Sequence, residues 1–435
     1  MKKTGNILKY AFAAALCGAF TGALIFAFKL IASYIIYVSV SVYEFARENI
    51  LFIPLLFAGV ILISLVIHYI LKYNPDIRGA GIPNAIAYIR ENKSFSWVKT
   101  VLILPLSAFL TFFSGIPLGN EGPSVQLGCA AGKGAASVLK SENENYIMTA
   151  GASAGFAAAT GAPFSAVIFA FEEIYRKFSA MLLLACVISI VCATSVNNFF
   201  GSLFHTNTKL FSFTVISAMP LKYIWTAVLT GAAAGIAVRA INIAEKYTQK
   251  ILTKLNNISM FPKILAVSVI AAIFGLYSEM YIGSGHNLIE EIFENGSIGL
   301  LLLASVLIVR ALLLVLAGGV QITGGKFLPT LAIGALLGEL MARGLIHMEL
   351  IDGEYRTLLI LMGIAAFLGA KSHIPVVALS FSVEALCGFS NIVHFIVGIG
   401  VSYLIVKVLK TKDSSESALE KETKEEKIHS EEVKV

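Results

Sequence analysis

Charge is scarce in this chain. Only 14% of its 435 residues are Asp, Glu, Lys or Arg, 57% are apolar, and the mean hydropathy is +0.81. Such values exclude an ordinary water-soluble domain and indicate a polytopic membrane protein. Cysteine is sparse as well. Cys17, Cys129, Cys186, Cys192 and Cys387 all lie in apolar segments, without the spacing of a metal site or a disulfide framework, and read as packing residues. Neither H-E-x-x-H nor G-x-S-x-G occurs, and the seven histidines form no close pair. These absences argue against an intramembrane enzyme and leave no catalytic residue, metal ligand or cofactor to assign. No globular domain is expected at either end of the membrane region, so nucleotide regulation is not expected.

Apolar stretches run roughly over 9–41, 51–72, 98–116, 123–140, 147–171, 180–201, 222–245, 262–281, 298–317, 327–347, 357–388 and 390–409. Several are long enough to cross a bilayer, others too long for one crossing or cut by Gly or Pro. That irregularity predicts tilted and broken helices, which a membrane tolerates only where protein or a water-filled cavity satisfies the freed backbone. The start resembles a secretory signal, with Lys2, Lys3 and Lys9 before an Ala-rich run. The run continues to about residue 41, however, and Leu16 before Cys17 is not the small residue of a lipoprotein cleavage site. It reads as the first membrane helix with its basic end in the cytoplasm. The chain divides into a transmembrane domain, 1–410, and a mixed-charge tail, 411–435, whose composition cannot bury a core and whose mixed sign argues against a nucleic-acid partner.

Against this apolar background the run Gly119-Asn120-Glu121-Gly122-Pro123 sets one carboxylate among small residues. An ionisable group at membrane depth is costly and marks a functional site by default. Gly119 and Gly122 let main chain approach a ligand, and Pro123 suits a first helical turn, whose free N–H groups would face the carboxylate or an anion. The alternative is a tight turn with Glu121 as an N-cap in an aqueous loop. An internal repeat accompanies this motif. From Gly151 the chain places Pro163 twelve residues on and Glu172 nine after that; from Gly363, Pro375 and Glu384 follow at the same two spacings. Upstream of each copy lies a further matching pair, G-N-E-G-P-S-V-Q-L-G from Gly119 and G-K-F-L-P-T-L-A-I-G from Gly325. Two similar halves with Gly/Pro-interrupted segments in corresponding positions indicate a transporter whose substrate sits between the repeats.

A third element, Gly79-Ala80-Gly81-Ile82-Pro83, precedes the others. In this order the three elements and the repeated Gly-to-Glu segments resemble the CLC family of chloride channels and chloride/proton antiporters, here as a bacterial member. G-A-G-I-P is similar to the family's G-S-G-I-P, G-N-E-G-P to its G-R-E-G-P, and Gly325-Lys326-Phe327-Leu328-Pro329 to its G-x-F-x-P. The match spans about residues 10–409. It implies an all-α membrane fold of two inverted-topology halves with broken helices, and a homodimer in the cell membrane with an anion pathway in each subunit. Both termini would be cytoplasmic.

The resemblance further implies that backbone N–H groups of Lys326 and Phe327 coordinate a central anion, with Ala80 and Gly81 beside it, while those of Asn120, Glu121 and Gly122 line an outer site. Oriented peptide dipoles would favour a partly dehydrated anion without a fixed full charge to trap it. Glu121 falls on the family's gating glutamate, a tethered competitor for the anion. Glu173 falls on its internal proton-transfer glutamate, although the Glu172–Glu173 pair followed by Arg176 and Lys177 also reads as a helix end at a cytoplasmic surface. Glu384 is expected to cap or pair structurally.

Three positions depart from the pattern. Ala80 replaces a serine ligand, Asn120 replaces an arginine, and Lys326 stands where an aliphatic residue is common, either adding positive field or snorkelling to water. The family's tyrosine ligand has no clear counterpart other than Tyr403. The expected function is chloride/proton exchange. A fluoride/proton antiporter and an uncoupled voltage-gated chloride channel are the alternatives; loss of the serine and tyrosine favours fluoride, while Glu173 and the Gly-Pro after Glu121 favour the ordinary branch.

Overall fold

The structure is a computed structural model that describes residues 2–141, 143–211, 217–294, 296, 298–386 and 389–409, with side chains from residue 7 onward. Cys387 and the charged tail 411–435 lie outside the described residues. The chain is helical: α1 Lys2–Glu48, α2 Ile53–Tyr73, α3 Ile82–Arg90, α4 Trp97–Phe113, α5 Glu121–Leu139, α6 Glu144–Thr160, α7 Pro163–Phe169 and α8 Ala180–Leu203 form the first part. The second comprises α9 Ile224–Lys254, α10 Met260–Tyr277, α11 His286–Glu294, α12 Leu300–Val320, α13 Phe327–His347, α14 Arg356–Lys371, α15 Pro375–Glu384 and α16 Phe389–Leu409. Among the described residues nine helices are long and apolar enough to cross a bilayer.

Of the over-long apolar stretches, 9–41 is one unbroken helix, α1, while two others are broken where the sequence demands it. The stretch 147–171 is two helices, because Gly161 adopts a left-handed φ of +70° after Thr160 and Pro163 then opens α7. The stretch 357–388 breaks in the corresponding place, with His373 at φ +57° before Pro375 opens α15. After α7 the chain widens into one turn of π-helix, Ala170–Ile174, which carries Glu172 and Glu173. Cys17, Cys129 and Cys186 are buried free thiols and Cys192 is half-buried.

Small residues let the core helices touch backbone to backbone. A Cβ on Gly128 would lie 2.1 Å from the carbonyl oxygen of Gly151, and one on Gly363 2.4 Å from that of Gly334. The first contact joins α5 to α6 and the second joins α13 to α14, so each repeat packs its helix pair through the same glycines. α5, α6, α13 and α14 are nearly continuous in burial, as helices surrounded by other helices must be.

Candidate functional site

The two repeats meet at paired backbone. Gly119 N–H donates to the Gly325 carbonyl at 2.8 Å and Gly325 N–H returns the bond to Gly119 at 2.6 Å, a reciprocal pair between equivalent residues. Such reciprocity is what a pseudo-two-fold axis requires. The axis recurs at the helix ends: Glu172 accepts from the N–H groups of Val376 (2.9 Å) and Val377 (2.6 Å), while its mate Glu384 accepts from Phe164 (2.8 Å) and Ser165 (2.7 Å). Each acid therefore caps the first turn of the other repeat's short helix, α15 or α7, where a carboxylate is favoured by free N–H groups and the helix dipole. The structural role expected of Glu384 is observed, and Glu172 shares it.

Three broken helices start around this axis. Gly81 sits at φ +82° as α3 begins, and a Cβ there would lie 2.3 Å from the Gly122 carbonyl oxygen. On Gly122 a Cβ would lie 2.0 Å from the Ala80 carbonyl oxygen and 2.8 Å from Gly325 Cα. Gly79 joins the third element by accepting from Gly324 N–H (3.2 Å) and donating to the Gln321 carbonyl (2.9 Å). The Gly79–Pro83, Gly119–Pro123 and Gly325–Pro329 elements thus converge, with the N-termini of α3, α5 and α13 brought together. Glycine is required because the main chains are too close for any side chain.

Glu121 is fully buried in this junction. Its carboxylate lies beside Gly119, Leu328 and the N–H groups of Leu328 and Glu121 itself, yet neither oxygen reaches hydrogen-bonding geometry. Asn120 Oδ1 is likewise buried without a partner. An unbonded buried carboxylate is costly, and this one stands among helix N-termini, whose free N–H groups favour negative charge. The electrostatic partner of Glu121 is Lys29 on α1, whose ammonium donates to the carbonyls of Thr208 (3.0 Å) and Ala158 (3.4 Å). Lys29 escaped the sequence reading although a signal was present: it is the sole charge between Lys9 and Glu44.

On one side of the junction a cavity of about 230 Å³ is lined by Ala80, Pro83, Phe169, Glu173, Lys326 and Phe327, among others. The structure therefore brings Ala80, Glu173, Lys326 and Phe327 together, whereas Glu121 does not line this cavity. Phe327 forms a wall, meeting Phe156 and Phe381 edge-on at ring separations of 5.3 and 5.6 Å. Glu173 pairs with Arg176 at 3.2 Å, and its backbone carbonyl accepts from Arg90. Lys326 neither floats nor snorkels freely; its ammonium is 3.0 Å from Glu245, which also holds Lys371 at 2.5 Å. Glu245 and Lys371 were not singled out from sequence: Glu245 closes the apolar stretch 222–245 with no motif around it, and Lys371 lies inside the second repeat, between Gly363 and Pro375, where the first repeat has Ala159. Tyr403 stands apart: its ring meets His373 at 6.3 Å and does not line the cavity.

A family model described as voltage gated chloride channel matches residues 59–407. The chain belongs to this family. Over 347 residues it is 26% identical to proteins named H(+)/Cl(-) exchange transporter ClcA in Salmonella typhi and Salmonella typhimurium, covering 78% of this chain and 72% of each relative. Its fold is similar to that of a slow cyanobacterial Cl-/H+ antiporter, with a TM-score of 0.83, and of a CLC-type fluoride/proton antiporter, with a TM-score of 0.75. Each is 21% identical, and each match covers 92% of this chain and 95% of the other. Membership agrees with the inverted-repeat architecture and with a multi-pass membrane protein.

Proposed function

We propose that the protein carries chloride across a cell membrane in exchange for protons. The observation that carries this reading is the unbonded Glu121 carboxylate, buried where the N-termini of both repeats' broken helices meet. Ionised, the carboxylate occupies the anion's place; protonated, it loses its affinity for the N–H groups and yields to chloride. Glu173 is the proton-transfer group on the other side, tied to Arg176 but open to the cavity beside Phe327. The relatives named as H(+)/Cl(-) exchange transporters support the exchange over a passive channel.

The face bearing Glu173 is cytoplasmic. Tyr146 and Tyr175 meet there at 5.4 Å and line a cavity with Lys93 and Lys133, with Arg176 and Lys177 next in the chain, while Glu279, Glu290, Glu291 and Glu294 line another cavity. With this orientation both termini fall on the cytoplasmic side. The protein works as a homodimer in the lipid bilayer, for which the exposed Phe164 on α7 and Val376 on α15 offer an apolar contact beside the Glu172–Glu384 caps. It performs no chemical conversion of its substrate.

One observation favours fluoride as a second substrate: with alanine at position 80 and Tyr403 away from the cavity, neither side-chain hydroxyl donor is available to select chloride. Purified protein in liposomes, with chloride, fluoride and proton movements recorded together, tests both readings. Chloride movement stoichiometrically tied to opposite proton movement is expected. Absence of any anion-driven proton movement would overturn the exchange.

A further inference from the structure

The cavity beside Phe327 contains an ion cluster that the exchange reading does not use. Lys326 and Lys371 reach it from opposite sides: Lys326 from the N-cap of α13, Lys371 from the last turn of α14. Between them stands Glu245 of α9, with Oε1 at 3.0 Å from the Lys326 ammonium and Oε2 at 2.5 Å from that of Lys371. Lys371 is also held by Asn242 Oδ1 at 2.8 Å, and its side chain is only 10% exposed. Gly318 leaves room for the cluster, since a Cβ there would overlap the Lys326 ammonium. Two cations and one carboxylate leave a surplus positive charge beside the backbone N–H groups at Lys326 and Phe327. Glu173, which also lines this cavity, is paired with Arg176; Arg78 and Lys93 share a neighbouring cavity with Lys326, Lys93 paired with Asp76 and Arg78 donating to the Leu71 carbonyl.

We propose that Lys326 and Lys371 recruit the transported anion into the pathway, and that Glu245 is a second tethered carboxylate which competes with the anion for them. The inference rests on the anion-transport reading and adds to it a residue that sets affinity at the inner mouth. Each oxygen of Glu245 satisfies one ammonium, so a small anion entering this cavity meets donors already engaged by a covalently attached rival at high effective concentration. Removing the rival frees both ammoniums; removing a lysine removes half of the attraction. A cluster that served only to hold α9, α13 and α14 together would respond otherwise, since loss of either sign of charge would harm it alike.

The test is calorimetric titration of the purified full chain with sodium chloride at fixed ionic strength. Glu245→Gln is expected to lower the chloride Kd by about threefold and Lys371→Met to raise it by about threefold, the scale of a partly exposed charge interaction. The double variant should return near the wild-type value. Equal affinities in wild type and Lys371→Met, or a loss of affinity in both single variants, overturns the proposal. If Glu245→Gln does not yield folded protein, Glu245→Asp, whose shorter side chain cannot hold both ammoniums, takes its place: a lowered chloride Kd is expected and a raised one overturns the proposal. Wild type that binds neither chloride nor fluoride would instead remove the transport reading itself.

Discussion

The two repeats share a backbone and differ in chemistry. Gly119 matches Gly325, Pro123 matches Pro329, the Gly128–Gly151 contact matches Gly334–Gly363, and Glu172 and Glu384 cap one another's helices. Everything held in common builds the axis and the converging helix ends. At the positions that differ, the first repeat carries Glu121 and Glu173 where the second has Phe327 and Ala385, and the second carries Lys371 where the first has Ala159. Symmetry thus supplies a cradle of N–H groups with no preference for direction. The single carboxylate at its centre and the acid and lysines around one cavity are where the symmetry is broken.

This division can be broken most sharply at its asymmetric positions. Glu121→Gln should abolish proton movement coupled to a chloride gradient while anion flux persists or rises, whereas Phe327→Leu at the matching position should keep the coupling; a pH electrode on proteoliposomes reads both. Glu173→Gln should remove most of the coupling and leave passive anion movement. If Glu172→Gln gave that phenotype instead, the roles of the adjacent acids would be reversed. The symmetric positions should behave symmetrically. Glu172→Gln and Glu384→Gln each weaken two charge-assisted bonds to backbone N–H groups, and each should lower the thermal midpoint by about 2–4 °C with coupling intact. Glu384 also accepts from Ser165 Oγ at 2.7 Å, so its loss should be the slightly larger of the two, and a larger loss for Glu172→Gln would contradict the pairing. The smallest effect is expected for Ala80→Ser, which adds a hydroxyl on the cavity wall and should tighten chloride relative to nitrate by roughly tenfold or less, measured by calorimetry.

What was legible in the sequence follows the same division. Repeat and broken helices could be read because each needs particular residues at particular spacings, such as Pro where a helix opens; the glycines were read as room for a ligand, whereas Gly81, Gly122 and Gly325 give room to one another's main chain. Glu121 was legible because a carboxylate among glycines in an apolar chain has few other reasons to be there. The Lys326–Glu245–Lys371 cluster was not, since its members lie on three helices and meet only through the fold. Glu172 shows the limit from the other side. Its neighbour Glu173 drew attention by motif, while the reach of Glu172 to the N–H groups of α15 needs the π-turn and the packing of the two short helices.

The central claim is competition between one side chain and the anion for the same N–H groups. Calorimetric titration of wild type and Glu121→Gln with chloride, each at acid and at alkaline pH, tests it most directly. In wild type, chloride affinity should fall as the pH rises, because the ionised carboxylate then competes. In Glu121→Gln it should be tighter at alkaline pH and the same at both pH values. The same pH dependence in the two proteins would contradict the claim, because a group other than Glu121 would then be taking the proton.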